Sequence, residues 1–393
     1  MIKNRKNIFA VLFLIAIILY ISQGILFEGT WFTSLSGIYL LSFNVFAMQK
    51  VLGSRPGKFL FKLLLFMIGW IAILWVISPK SYHSSGEVVS TLYMVQYSMI
   101  VFSSVFSFYY ISEKKLIKDY NLFFFIILLA MVYVYNIMHF DVAADSAGVF
   151  DFSTVNNKSY SIAALFPLLS VFWNKKWVMI SLMTAALFLI AFCLKRGAML
   201  IAISCYLIAF IFMFKETQMN RKYRRVLFLL MVLLIFGIVY AFYTIYNSDD
   251  LIQARIDLTL EGGSSGRDYI YAKIWDAWLN SGFISMVVGH GPISTLSVSS
   301  YYAHNDWLEI LFDFGLIGLF LYVGVLYYIT VYSFKRRGLP LQHKMGLLMC
   351  LSYIILRSSF SMCIYELDSL LAFGYIGYIM GDNYLKRKKE RNL

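Results

Sequence analysis

Residues 304–320 read HNDWLEILFDFGLIGLF, a polar start that leads directly into a long apolar run. The run predicts a membrane helix, because a continuous apolar stretch of about 20 residues spans a bilayer. Asp306 and Glu309 have the spacing of a capping box, so the helix is expected to begin at Asp306, with Asn305 as a second candidate for the cap. His304 then lies just before the positive end of the helix, which favours a neutral imidazole that can accept a proton.

The whole chain shares this apolar character. Of its 393 residues 60% are hydrophobic and only 14% are charged. This composition excludes a soluble globular protein and indicates an all-α integral membrane protein.

The cysteines lie in or beside apolar runs, without metal or disulfide spacing, and are interpreted as packing residues: they are Cys193, Cys205, Cys350 and Cys363.

Twelve apolar runs are predicted to be membrane helices. In chain order they cover 8–27, 31–49, 59–78, 88–111, 121–139, 158–173, 177–194, 198–214, 226–246, 306–334, 345–363 and 367–384. The first run is too long for the core of a signal peptide and lacks a clear cleavage site, so we expect it to remain as a helix. No tandem repeat or soluble domain interrupts the series, which predicts a single polytopic domain over residues 1–393.

The basic residues predict the orientation of these helices. The net charge is +13, and 26 of the 34 Lys and Arg residues lie in the tails and in alternate loops of the twelve-helix scheme. Basic residues concentrate in cytoplasmic loops, so both termini are predicted to be cytoplasmic. Their position in short loops between apolar runs also argues against nucleic acid as a partner.

One predicted external loop, 247–305, is much longer than the others. Long loops are usually functional or contain elements of their own. Ser265 and Asp268 have capping-box spacing and predict the start of a helix within this loop. One face of that helix is apolar and aromatic, as expected at a membrane interface: it carries Tyr271, Ile274, Trp275, Trp278 and Leu279.

Three arginines lie on the predicted external side together with His304. Arg196 is in a tight connection between apolar runs, Arg267 is in the first turn of the loop helix, and Arg357 lies near the external end of the eleventh run. Guanidinium groups bind phosphate oxygens through paired hydrogen bonds and keep their charge. A neutral histidine can take the proton of an attacking hydroxyl. Together these groups indicate transfer of a group from a lipid diphosphate to an alcohol, with arginines in place of a metal at the departing diphosphate.

Each of these residues also has a purely structural interpretation. His304 alone could be a helix-capping or hydrogen-bonded side chain, and Arg196 could be a snorkelling residue at the membrane interface. Arg267 could be a solvated loop charge that pairs with its neighbour Asp268. Arg357 could form a salt bridge with an acidic residue of the loop that follows it.

Two other polar segments are weaker candidates. The segment 289–292, Gly-His-Gly-Pro, is most simply a turn that needs glycine torsions, although His290 could lie near the site. A loose acidic loop carries Asp141, Asp145 and Asp151, which are either solvated or part of a metal or acceptor site. No carboxylate pair has convincing metal-ligand spacing.

The order of these pieces resembles the O-antigen polymerase and O-antigen ligase superfamily of bacterial envelope glycosyltransferases. The His304 segment is fairly specific, whereas the arginine segments are informative only in this order, and the first 190 or so residues match only as apolar helices. The matching pieces are Lys195-Arg196-Gly197, Ser265-Gly266-Arg267 followed by Trp275, Gly289-His290-Gly291-Pro292, and His304-Asn305-Asp306-Trp307-Leu308-Glu309 with Gly315 and Gly318.

The resemblance implies a metal-independent, inverting glycosyltransferase with a C-type membrane fold and no cofactor. It implies a donor glycan on undecaprenyl diphosphate, used at the periplasmic or outer face of the bacterial inner membrane. Carried over by position, Arg196 and Arg267 would bind the diphosphate and His304 would activate the acceptor hydroxyl. The secondary candidates for the site are Lys195, His290 and Arg357.

The leading hypothesis for the function is a polymerase that extends a surface polysaccharide by transfer of glycan between lipid-linked repeats. The near alternative is a ligase that moves the finished polymer to the lipid A core. A lipid-linked oligosaccharide flippase is a third possibility, but transporters tend to have repeated halves and polar groups at the bilayer midplane. A polymerase must hold a second lipid diphosphate, and the surplus external cations available for it are Lys195, Arg255, Lys273 and Arg357.

Overall fold

The computed structural model describes residues 2–22, 31–54, 59–84, 87–138, 158–193, 195–216 and 267–391 except Arg337, with a few separate helical positions between 225 and 243. Most of the predicted ninth span, 226–246, lies outside the described residues. So do several positions of the predicted external loops, namely Asp141, Asp145, Asp151, Arg255 and Ser265.

The described part of the chain is almost entirely helical. In chain order its elements are α1 (Ile2–Ile21), α2 (Trp31–Ser54), α3 (Phe59–Ile77), β1 (Ser81–Ser84), β2 (Glu87–Ser90), α4 (Thr91–Glu113), α5 (Asp119–Met138), α6 (Ser159–Ala163), α7 (Phe166–Leu169), a 3-10 helix (Ser170–Lys175), α8 (Lys176–Phe192), α9 (Arg196–Lys215), α10 (Arg267–Leu279), α11 (Phe283–Val288), α12 (Leu296–Ser299), α13 (Asp306–Lys335), α14 (Leu341–Phe360) and α15 (Ser369–Arg391). The antiparallel hairpin of β1 and β2 between α3 and α4 was not predicted.

Seven segments of the described residues are long and apolar enough to cross a membrane, which agrees with an all-α membrane protein. The helices α14 and α15 overlap the last two predicted spans but are not among the seven. The predicted sixth span, 158–173, is not one continuous helix but is divided into α6, α7 and the 3-10 helix. Pro167 lies at the start of α7, where a proline is accepted because the first N–H groups of a helix need no partner within it.

Close packing around α4 organises the bundle, and the second half of this helix is almost fully buried. Helix α15 packs against α4 through glycines. A Cβ atom on Gly377 would lie 2.1 Å from the carbonyl oxygen of Val105, so only glycine allows this approach. Asn44 of α2 hydrogen bonds to α4 through Ser103, at 2.8 Å, and through Ser107. Small residues and polar pairs of this kind hold membrane helices together where the hydrophobic effect is weak.

Several helix ends that carry lysines and arginines meet at one end of the bundle. The ion pair of Lys176 with Glu216, at 2.7 Å, joins the start of α8 to the end of α9. The contact of His343 with Asp382, at 3.3 Å, joins the start of α14 to the last part of α15. These contacts bring together loops that the charge pattern assigns to one side of the membrane. The helices α10 to α12 lie with His304 at the other end of the bundle, which we call the His304 end.

The helix α13 breaks at Gly315, whose φ of 65° and ψ of −169° are not helical. The break leaves carbonyl groups of the preceding turn without partners in the helix, and an unpaired carbonyl at membrane depth costs several kcal/mol. Three donors from outside α13 satisfy them: the backbone N–H of His290 donates to Phe312 O at 3.1 Å, that of Gly291 to Asp313 O at 2.8 Å, and the indole N–H of Trp70 to Phe314 O at 3.0 Å. Beyond the break about 20 residues remain, enough to span the bilayer.

We expect Gly289→Ala to lower the free energy of unfolding by about 2 kcal/mol or more. Gly289 has a φ of 98°, and a Cβ atom there would lie 2.3 Å from Asp313 O and 2.6 Å from Gly315 N. The melting temperature of the purified protein in detergent measures the effect. Gly69→Ala is the matched control, because a Cβ at this position has nothing within 4 Å. An unchanged melting temperature for Gly289→Ala would contradict this account of the break.

Cysteine labelling tests the orientation derived from the charges. All four native cysteines are free and buried, as predicted for packing residues, so the unmodified protein serves as the unlabelled control. Asn280→Cys lies exposed at the His304 end and should react with an impermeant thiol reagent in intact spheroplasts. Glu390→Cys lies exposed near the end of α15 and should react only after lysis. The opposite labelling pattern would invert the predicted topology.

Candidate functional site

The helix α13 begins at Asp306 as predicted, but its cap is Asn305. The Asn305 side-chain oxygen accepts hydrogen bonds from the backbone N–H groups of Trp307 at 3.0 Å and Leu308 at 3.3 Å. The predicted capping box is wrong, because the Asp306 and Glu309 carboxylates bind groups outside the first turn of the helix.

Three carboxylates on one face of α13 anchor the loops of the His304 end, and all three are fully buried. Asp306 accepts hydrogen bonds from the last turn of α14 and the loop after it: Ser358 Oγ at 2.8 Å, Cys363 N at 2.8 Å and Ile364 N at 3.3 Å. Glu309 accepts from Thr295 Oγ1 and Ala303 N, each at 2.6 Å. Asp313 accepts from Ile293 N at 2.7 Å, Ser294 Oγ at 2.8 Å, Thr295 N at 3.3 Å and Tyr365 Oη at 2.7 Å. Buried carboxylates need such hydrogen-bond partners, and here the partners are groups of the protein itself.

His304 lies directly before this anchored helix, in a backbone conformation that non-glycine residues rarely adopt. Its φ is 50°, and its half-buried imidazole lies 6.3 Å from the ring of Tyr302, measured between centroids. Burial, followed by the positive charges of Arg267 and Lys195, lowers the pKa of His304 to about 4. The imidazole is therefore neutral at pH 7, in agreement with the prediction, although burial rather than the helix end is the main cause.

A shared carbonyl group brings Arg267 to the start of α9. Arg267 Nη1 donates a hydrogen bond to Phe360 O at 3.0 Å, and the hydroxyl of Tyr160 donates to the same oxygen at 3.5 Å. Gly197 packs against this pair, since a Cβ atom there would lie 2.1 Å from Tyr160 Oη and 3.0 Å from Phe360 Cβ. Glycine at this position lets the segment 195–197 approach Arg267, although the two are far apart in the sequence.

The ring of Tyr160 lies beside two cations. Arg357 Cζ is 5.1 Å and Lys195 Nζ is 5.9 Å from the ring centroid. Arg196 is the first residue of α9 and its side chain is exposed. The structure therefore brings Lys195, Arg267 and His304 within electrostatic reach of one another, and it places Arg196 next to Lys195.

Arg357 is buried, and its guanidinium binds groups of the protein itself. Its Nε donates to Met362 O at 2.9 Å, its Nη1 donates to the hydroxyl of Tyr353, and its Nη2 lies 3.7 Å from Glu366 Oε2. This confirms the interpretation of Arg357 as a salt-bridge partner of the following loop. The side chain supports the shape of the site and leaves little of its donor capacity for a substrate.

His290 is also bound within the protein. Its ring stacks on Phe312 at 4.3 Å between centroids, Nδ1 lies 3.2 Å from Phe312 O, and Nε2 lies 3.2 Å from Ser281 Oγ. The flanking Gly289 and Gly291 have φ values of 98° and 102°, which confirms the prediction of a turn that needs glycine. His290 thus belongs to the turn that fills the break in α13.

Sequence analysis missed Tyr160, and it gave Glu366 only as an ion-pair candidate for Arg357. The side chain of Glu366 is 49% exposed, yet burial among surrounding protein groups raises its pKa, with Arg357 opposing the shift. The charge of Lys195 acts on both Glu366 and His304. In the sequence, Tyr160 is one of 29 tyrosines and nothing in its neighbours distinguishes it.

The described part of the chain contains no cluster of three or more His, Cys, Asp or Glu residues that could hold a metal ion. The groups that converge are a neutral imidazole and fixed cations. This combination can accept a proton and bind an anion side by side.

Comparison with known proteins identifies the segment that contains these groups. Residues 179–323 match the family model described as O-antigen ligase. The matched residues run from α8 into α13 and include Lys195, Arg196, Arg267 and His304. No curated protein matches the chain. The similarity of residues 179–323 to this family supports the O-antigen polymerase and ligase superfamily that the motifs predicted.

Proposed function

We propose that the protein is a polymerase that transfers a glycan from undecaprenyl diphosphate to a hydroxyl group of a second lipid-linked saccharide. The main support is the position of a neutral, half-buried His304 within electrostatic reach of the cations Arg267 and Lys195. Further support comes from the family match, because the cluster lies within residues 179–323 and the matched family covers both O-antigen ligases and polymerases.

In the proposed step the acceptor oxygen attacks the anomeric carbon from the side opposite the diphosphate. The bond between that carbon and the diphosphate oxygen breaks, and the leaving diphosphate keeps the electron pair. The hydroxyl proton passes to the imidazole of His304. Inversion at the anomeric carbon follows from this direction of attack, and no metal takes part.

The cations of the site stabilise the charge that develops on the leaving diphosphate. Arg267 supplies a guanidinium at the start of α10, and Lys195 supplies an ammonium at the start of α9. Arg196 projects an exposed guanidinium from the first turn of α9, so a diphosphate beside it also meets the N–H groups of the helix N-terminus. Arg357 is the weakest candidate for binding the diphosphate, because its guanidinium already binds Met362 O and Glu366.

The acceptor separates the polymerase from the ligase. A polymerase binds a second lipid diphosphate, and Lys273 offers an exposed cation for it on the same helix as Arg267. The description of the matched family favours a ligase as the second candidate.

A flippase gains no support, because turn 289–291 and Trp70 fill the break in α13 that a transporter would use as a binding site.

In this proposal the His304 end faces the periplasm or the cell exterior, and both termini lie in the cytoplasm. The enzyme receives its substrate after a flippase has moved the lipid-linked repeat across the inner membrane. A chain-length regulator is the further partner that a polymerase of this kind requires.

Substitution of the proposed site residues should abolish most of the activity. His304→Asn, Arg196→Ala and Arg267→Ala should each slow product formation by about 100-fold or more. Asparagine is chosen at 304 because it tolerates the left-handed backbone there. The assay follows polymer formation by the purified protein in excess EDTA, with lipid-linked saccharide extracted from cells that lack the gene.

Two further variants make this test specific. Arg196→Lys should restore little activity, since an ammonium lacks the paired donors of a guanidinium. Lys80→Ala removes an exposed cation at the His304 end that donates to the Val76 carbonyl at the end of α3, and it should remain active. Normal product formation by His304→Asn would remove His304 as the base.

Deletion of the gene separates the two candidate functions. Loss of a polymerase should leave surface glycan that carries a single repeat unit. Loss of a ligase should leave the lipid A core without repeats while long polymer accumulates on undecaprenyl diphosphate. Electrophoresis of the surface glycan distinguishes these patterns, and the second pattern would reject the polymerase while keeping the proposed site.

The pH dependence should reflect the low pKa of His304. Only the neutral imidazole accepts a proton, so kcat/KM should stay constant as the pH falls to about 5 and decline as it approaches about 4. Lys195→Gln removes a positive charge that lowers this pKa, so the acid limb should move to higher pH. Lys80→Gln is the control and should leave it in place. An acid limb that does not move in Lys195→Gln would show that Lys195 does not act on His304.

A further inference from the structure

The loop between α11 and α13 contains three non-glycine residues in the left-handed backbone region: Ile293 with a φ of 52°, Ser300 with 59° and His304 with 50°. Such conformations are unfavourable for residues with a Cβ atom and persist only where surrounding contacts impose them. At Ile293 the contact is visible, because the backbone N–H of this residue donates to the buried carboxylate of Asp313 at 2.7 Å. At His304 the contacts that impose the conformation are made by its two neighbours in the chain.

Contacts with α13 hold the residues on both sides of His304. On one side Ala303, fully buried, donates its backbone N–H to Glu309 Oε1 at 2.6 Å. On the other side Asn305 caps α13 through its side-chain oxygen. His304 therefore lies between two residues that are bound to the first turns of the same helix.

Glu309 itself is well fixed. It is fully buried, and its second oxygen accepts a hydrogen bond from the hydroxyl of Thr295 at 2.6 Å. Its backbone N–H donates to Asn305 O at 3.0 Å, so the same residue contacts both neighbours of His304. A fully buried carboxyl group whose two oxygens both bind groups of the protein is not accessible to the hydroxyl of a substrate.

We propose that Glu309 is a positioning residue for His304: through Ala303 it sets the backbone of His304 and thereby the place of the imidazole beside Lys195 and Arg267. This inference rests on the proposed function, in which His304 accepts the proton of the acceptor hydroxyl. Displacement of a reacting group by about 1 Å can cost about 100-fold in rate. Glu309 thus contributes to turnover without contact to the substrate.

Glu309 acts through hydrogen-bond acceptance and not through its charge. The charges that act on the imidazole are those of Arg267 and Lys195. A neutral acceptor of the same shape is therefore sufficient. In Glu309→Gln the amide oxygen accepts from Ala303 N–H, and the amide N–H donates to the Thr295 hydroxyl, which can reverse its role.

Three variants of the full-length protein test the proposal, with turnover and the KM for extracted lipid-linked donor as readouts. Glu309→Met keeps the volume but has no oxygen acceptor, so kcat should fall about 10- to 100-fold while the KM for the donor stays within about twofold. Glu309→Gln should keep kcat close to that of the unmodified protein. Asp313→Asn changes another buried carboxylate of the same face and should lower the melting temperature without a comparable loss of kcat per folded molecule.

The outcomes separate this inference from the proposed function. Retained kcat in Glu309→Met, with kcat lost in His304→Asn, overturns the positioning role and keeps the function. Retained kcat in His304→Asn overturns the function itself. A folded Glu309→Gln with a strongly reduced kcat overturns the positioning role, because the acceptor is still present. This last result remains decisive even when Glu309→Met does not accumulate.

Discussion

The buried carboxylates of α13 are the interaction on which the His304 end depends. Three carboxylates at positions 306, 309 and 313 lie on one face of a helix that begins at the membrane boundary, and together they accept hydrogen bonds from the loop before this helix and from the loop after α14. Carboxylates buried without partners would be prohibitively costly here, so the loops and the helix stabilise each other. The result is a rigid platform of irregular backbone, which positions His304 more precisely than an exposed loop could.

Glycine makes the second part of this platform possible. The break at Gly315 and the turn at Gly289 and Gly291 are in contact. The turn donates backbone N–H groups to the carbonyl groups that the break leaves unpaired in the helix. At the start of α9, Gly197 has a different role, since it allows Tyr160 and Phe360 to approach the segment that carries Lys195 and Arg196. Several of the family pieces noted in the sequence thus serve backbone geometry.

The sequence was sufficient to predict the membrane fold, the start of α13, the helix at Arg267 and the turn at Gly289. These features depend on apolar runs, cap residues and glycine, which are local signals. It was not sufficient for the capping box, because Asp306 and Glu309 have the right spacing but find stronger partners in loops distant in sequence. Tyr160 and Glu366 could not be predicted either, since only tertiary packing places them beside Lys195. The broken sixth span shows that an apolar run predicts burial better than it predicts one continuous helix.

The contacts of Asp306 also set the order in which the site can be completed during synthesis. The partners of Glu309 precede α13 in the chain, so they are already present when α13 emerges from the ribosome. The partners of Asp306, and the Phe360 carbonyl that receives Arg267, follow much later, at the end of α14 and beyond. The matched segment 179–323 therefore does not contain all the groups that bind its own buried side chains. A nascent chain released after α13 would contain His304, Arg196 and Arg267 but would leave Asp306 without its hydrogen-bond donors and Arg267 without its carbonyl.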